Sequence, residues 1–177
     1  YNYNFTADWG DGNMSTITAY NDPDITRVYT AAGNHTVTIS GTLEAWYFDY
    51  SGDRTKLIQV VDLGNVGWIN LENAFAGCNQ MTSFEGGVTD QVTNMSGMFW
   101  DNTALTNVNL SSFDTSNVTD MSIMFLGVSQ LTSLDLSSFN TSKVTKMPGM
   151  FMQMLMLSNL DISSFDTSKV TTMSQMF

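Results

Sequence analysis

FLGVSQLTSLDLSSFNTSKVTKMPGM, residues 125–150, runs directly into FMQMLMLSNLDISSFDTSKVTTMSQM, residues 151–176. The two lines share one 26-residue frame, and Phe99, Phe125, Phe151 and Phe177 mark its beat. Phe75 stands one 24-residue unit further upstream. A fixed period of this size predicts stacked units, each burying its apolar face against its neighbours because it cannot fold alone.

Aligning the units on Phe exposes the apolar positions. Leu131, Leu134, Leu136, Phe139, Val144, Met147, Met150 and Phe151 have counterparts at Leu105 to Phe125 and at Leu157 to Phe177. The first half of each unit has the L-x-x-L-x-L spacing of a leucine-rich repeat, with Leu134 and Leu136 inward and Ser133 and Asp135 outward, as on a strand. In the second half, Val144, Met147, Met150 and Phe151 fall at i, i+3, i+6 and i+7, which predicts one helical face. Thr141 and Ser142 suit its N-cap, and Gly77 or Gly127 its stop. The expected fold is therefore α+β. Residues 57–177 form a right-handed leucine-rich-repeat-like solenoid of about five units, each with one short strand and one short helix. Met95, Met121, Met147 and Met173, with Met98, Met124, Met150 and Met176, occupy positions held upstream by Leu71 and Ala74. That substitution reads them as core thioethers rather than copper or haem ligands.

Working outward, residues 1–48 carry no repeat. Tyr1–Ala7, Thr16–Tyr20, Thr26–Tyr29 and His35–Ser40 read as short strands, separated by turns at Trp9–Gly12, Asn21–Asp24 and Ala32–Asn34. Short strands at such spacing predict a β-sandwich-like cap. Asp8-Trp9-Gly10-Asp11-Gly12, Val28-Tyr29 and Ala32 through Ile39 resemble the second half of a PKD-like (polycystic-kidney-disease-type) domain, with Arg27 where that family has His and His35 where it has Tyr. The resemblance covers residues 5–41 and implies a partial domain. Residues 49–56 form a junction, preceded by Trp46, Tyr47 and Phe48 and containing Tyr50. An aromatic stripe here predicts cement between head and repeats, with the head as N-terminal cap.

The repeat L-T-S-L-D-L-S-S-F-N-T-S-K-V-T-K-M-P-G-M-F itself resembles that of BspA-like leucine-rich-repeat bacterial surface proteins. This resemblance implies export and an extracellular or cell-surface setting, with adhesive or structural work, and it offers no catalytic residues to carry over. Composition agrees with a binding or structural role. There are 17 acidic against 6 basic residues, a formal charge of −11, which argues against nucleic acid or an anionic membrane as partner. No apolar run approaches a membrane span. Cys78 is the one cysteine and His35 the one histidine, which leaves no thiolate cluster and little for a nucleophile to work with.

Three groups of residues are candidates for function, and no cofactor is implied beyond calcium. The outward strand face, Asn107, Asn109, Ser133, Asp135, Asn159 and Asp161, would meet a protein or a surface glycan. Asp8, Asp11, Asp22 and Asp24 in the head loops are candidate calcium ligands, since that ion takes six to eight oxygens from flexible loops. Met173, Met176 and Phe177 would lie on the last unit, and its apolar cross-section predicts continuation by further repeats, a partner subunit, or head-to-tail self-association into a filament.

Overall fold

The computed structural model describes all residues, Tyr1–Phe177. The head is one antiparallel sheet. Strands β1 (Tyr3–Asp8), β2 (Met14–Ile17) and β3 (Thr38–Leu43) lie in the order β2-β1-β3. Phe5, Ala7, Ile17 and Leu43 point from it into the core. No second sheet packs on this one, so the expected sandwich-like cap is corrected to a single layer. Thr26–Tyr29 forms no ladder. Its residues are held by side chains instead, with the Tyr29 ring stacked 3.9 Å from that of His35 and its hydroxyl donating to the Trp9 carbonyl at 3.0 Å.

Rungs follow the head. Pairing begins at Leu43, whose N–H reaches the Val66 carbonyl at 2.7 Å, and at Ala45, which bridges to Asn70 in parallel. From there a column of parallel bridges runs Asn70–Asn94–Asp120–Lys146–Thr172. A second, parallel ladder joins β4 (Gln59–Val60), β5 (Ser83–Glu85) and β6 (Asn107–Asn109), then thins to the single bridge Ser133–Asn159.

The expected helix in each unit does not exist. The only helical residues are two single 3₁₀ turns, Pro23–Ile25 and Arg54–Lys56, both outside the repeats' methionine segments. The leucine-rich-repeat solenoid with a strand and a helix per unit is therefore corrected to small sheets joined by turns and irregular chain. Hydrogen bonding supplies the reason. An α-helix needs each N–H for the carbonyl four residues back. Here Met121, Ile123, Phe125 and Gly127 donate theirs to the carbonyls of Lys146, Pro148, Met150 and Met152 in the next unit. Only the residues between them bond locally, Met124 to Met121, Leu126 to Ile123 and Val128 to Phe125. The same alternation holds from Leu71 to Cys78 and from Met95 to Asn102. Two residues per unit are also left-handed, Asn73 and Gly77, Gly97 and Asp101, Ile123 and Gly127, Gly149 and Gln153, and a right-handed helix cannot pass through them. Successive three-residue turns put every third side chain on one side, which imitates helical spacing.

What those turns aim inward is a continuous core from Phe5 to Met154. Phe75, Phe99, Phe125, Phe151 and Phe177 stack as a ladder, with ring centroids 6.2, 5.5, 6.0 and 5.9 Å apart. Met95, Met98, Met121, Met124, Met147 and Met150 are fully buried beside them.

Candidate functional site

The outward strand residues do share one exposed side. Asn107, Asn109, Ser133, Asp135, Asn159 and Asp161 are all exposed, while Leu134 and Leu136 beneath them are buried. Their polar atoms are partly spent on the chain itself. Asp135 Oδ1 accepts the Ser137 N–H at 2.9 Å, Asp161 the Ser163 N–H at 2.9 Å, and Asn109 the Ser111 N–H at 3.1 Å. These are Asx turns, in which a short side-chain acceptor holds the backbone two residues on. The backbone hydrogen bond, then the serine side chain, holds Asp135 and Asp161 below the ordinary carboxyl value. Between the two turns lies a shallow cleft of about 280 Å³ that includes Asp135, Asp161, Ser137 and Ser163.

The four head carboxylates are not brought together. Asp11 forms an ion pair with Arg27 at 2.5 Å and accepts from Asn13; burial pushes its carboxyl up, but the hydrogen bonds from Arg27 and Asn13 outweigh this and hold it low. Asp22 takes the N–H groups of Thr18 and Asp24, and Asp8 that of Gly10. Asp24 stands in the 3₁₀ turn as its first-turn acid. No group of three or more metal-ligating side chains forms anywhere in the chain. On the last rung, Phe177 is 71% and Met173 42% exposed, while Met176 is partly buried against the core.

A site that the sequence reading passed over lies where the head meets the first rungs. A cleft of about 310 Å³ is lined by Tyr1, Trp46 and Tyr47, with Asp49, Asn70, Glu72 and Asn73. Tertiary pairing assembles it, because the Ala45–Asn70 bridge sets residues 45–49 beside residues 70–73. Tyr1 and Tyr47 are 67% and 61% exposed. Its polar groups are tied in pairs: Asn73 Nδ2 donates to Asp49 Oδ1 at 3.2 Å, Asn94 Nδ2 to Glu72 Oε2 at 3.1 Å, and Asn70 Nδ2 to the Tyr1 hydroxyl at 2.5 Å. The Trp46 Nε1–H is covered and has no acceptor, an orphan that costs about 1–3 kcal/mol. The aromatic stripe at residues 46–50 was the signal. Phe48 of that stripe does pack on the core, edge-on to Trp46 at 5.4 Å, while Tyr47 faces solvent.

Against known families, residues 69–177 match the one described as Mycoplasma protein of unknown function, DUF285. The match spans 109 of 177 residues. The chain belongs to this family. Its repeats fall within the DUF285 match. The chain matches no curated protein and no solved structure. The DUF285 stretch starts beside Asn70, the head of the long bridge column, and takes in every stacked Phe. The junction cleft straddles its edge, with Asn70, Glu72 and Asn73 inside the DUF285 stretch and Tyr1, Trp46, Tyr47 and Asp49 before it.

Proposed function

We propose that this chain is a non-catalytic scaffold, outside the cell or on its surface, whose rungs hold a head and a polar face in place for adhesion or structural display. The observation that carries this reading is how the repeats use their polar side chains. Thr115 donates to the Asn140 carbonyl at 3.0 Å and accepts the Asn140 N–H at 2.8 Å; Thr119, Thr145 and Thr171 each donate to the carbonyl one unit back. Together with the Asx turns, these bonds commit the threonine hydroxyls, and one oxygen of Asp135 and of Asp161, to the stack's own architecture. A ladder of that kind suits holding shape at a fixed spacing, with a protein or a glycan as partner. The extracellular setting rests on the resemblance of the repeat to that of BspA-like bacterial surface proteins.

Antibody labelling of intact cells that make the protein tests the setting, with permeabilised cells as control. Signal on intact cells, removed by added protease, is the expected result. Signal only after permeabilisation overturns the surface reading.

A further inference from the structure

We propose that the junction cleft is a binding site for a neutral glycan. This deepens the scaffold reading above and rests on it, since it names where an adhesive chain would make contact. Size and openness come first. At about 310 Å³ the cleft is at the lower end of small-ligand sites, enough for one or two sugar rings at the end of a longer glycan.

Its walls come next. Tyr1 and Tyr47 leave most of their surface in water, and Trp46 lines the cleft with them. Aromatic faces left wet beside polar groups suit a ligand with apolar C–H faces and hydroxyl edges. The polar lining then chooses among ligands. It contains no Lys, Arg or His side chain, so a phosphate, sulfate or sialic acid carboxylate would meet the like charges of Asp49 and Glu72. A simple cation is the rival that those two carboxylates would attract. Each already accepts an amide N–H, from Asn73 and Asn94, so the rim presents amide donors next to carboxylate acceptors. A hydroxyl both donates and accepts and can use both; an ammonium only donates and can use the carboxylates alone. Asp49 Oδ2 and Glu72 Oε1 remain open for hydroxyl protons.

Titration of the whole chain with neutral oligosaccharides of glucose, galactose and N-acetylglucosamine, followed by tryptophan fluorescence and calorimetry, is the test. Parallel arms use sialyllactose, choline and Nα-acetyl-lysine amide. We expect saturable binding of at least one neutral oligosaccharide near ~1 mM or tighter, and no binding of the charged probes. Tyr47→Ala and Glu72→Gln, both at exposed positions, should weaken it about tenfold or more while the melting curve stays in place. No saturation by any neutral saccharide, binding unchanged in both variants, or binding of choline or lysine amide instead would each overturn the assignment. Surface labelling is read independently, so a failure here leaves the scaffold reading standing, and a failure there is recognisable as its own.

Discussion

Two columns of single residues decide how closely the rungs approach. One runs Asn73, Gly97, Ile123, Gly149, Gln175 and the other Gly77, Asp101, Gly127, Gln153, and every member is left-handed. Glycine alternates with a larger side chain because each side chain occupies the space over its glycine neighbour. A Cβ at Gly97 would overlap Asn73 Oδ1, one at Gly127 would overlap Asp101 Oδ1, and one at Gly149 would come within 3.1 Å of Ile123 Cγ2. Gly97→Ala therefore adds overpacking to left-handed strain and should cost ~2–4 kcal/mol. Gly52, also left-handed but facing open space, should cost ~1–2 kcal/mol when changed to Ala. Urea midpoints for the two variants measure the difference, and equal values would show that the columns do not set the spacing. The Asx-turn aspartates make a second prediction at this scale. Asp114, Asp135, Asp161 and Asp166 all titrate below the ordinary value of 3.8 in the folded chain. The folded state thus binds fewer protons than the unfolded one. Its stability from these groups is complete above the ordinary value and is lost as pH falls through the lower folded values. The melting temperature should be flat near neutrality and drop below about pH 4. Asp135→Asn should keep the neutral value, since Asn109 and Asn140 build the same turn, and should reduce the acid loss. A larger drop at neutral pH would mean that the charge, and not the turn, matters there.

At the scale of the element, the rung's corner is held by threonine. Thr89, Thr115 and Thr141 are at most 1% exposed, and each hydroxyl donates to a carbonyl 25 residues on. Thr89 and Thr115 also accept the N–H of that same residue. A valine fills the space but leaves both part-buried backbone groups without their partner. Thr115→Val should therefore cost ~2–4 kcal/mol, while Thr115→Ser, which keeps the oxygen, should cost less than half of that. Thermal melts of the pair would show it, and a valine as harmless as the serine would contradict the hydrogen-bonded corner. These threonines recur visibly in the sequence at Thr115, Thr141 and Thr167, yet their spacing alone did not distinguish a buried corner from an N-cap. The turn segment was misread for a related reason. Its apolar spacing is the same for a helix as for a run of three-residue turns, and the deciding information is which carbonyl each N–H meets.

The molecule as a whole should unfold as one. The buried cluster passes from Phe5 in the head through Leu43, Leu63 and Trp68 to the stacked Phe ladder without a break. Phe5→Ala and Phe125→Ala lie far apart in the chain, and each should cost about 3–5 kcal/mol through the cavity left behind. Ser133→Ala, at an exposed position, should stay within about 0.5 kcal/mol. Both core variants should shift a single transition, seen alike by circular dichroism and by tryptophan fluorescence. A biphasic melt, with Phe5→Ala moving only one phase, would make the head a separate folding unit.

The sequence by itself determined the period and the identity of the repeating core, because burial of an apolar side chain is recorded at its own position in every unit. It determined the head's tight turns at Gly10 and Gly12 as well, since a local backbone demand leaves a local residue choice. Tertiary structure alone decided that the methionine segments are not helical: their N–H partners sit 25 residues away, as from Met121 to Lys146, and no local pattern records them. It decided too that the head is one sheet and that Tyr1, Tyr47 and Asn73 line a common cleft. Those outcomes depend on which surfaces meet when distant segments pack, and that is a property of the assembled stack.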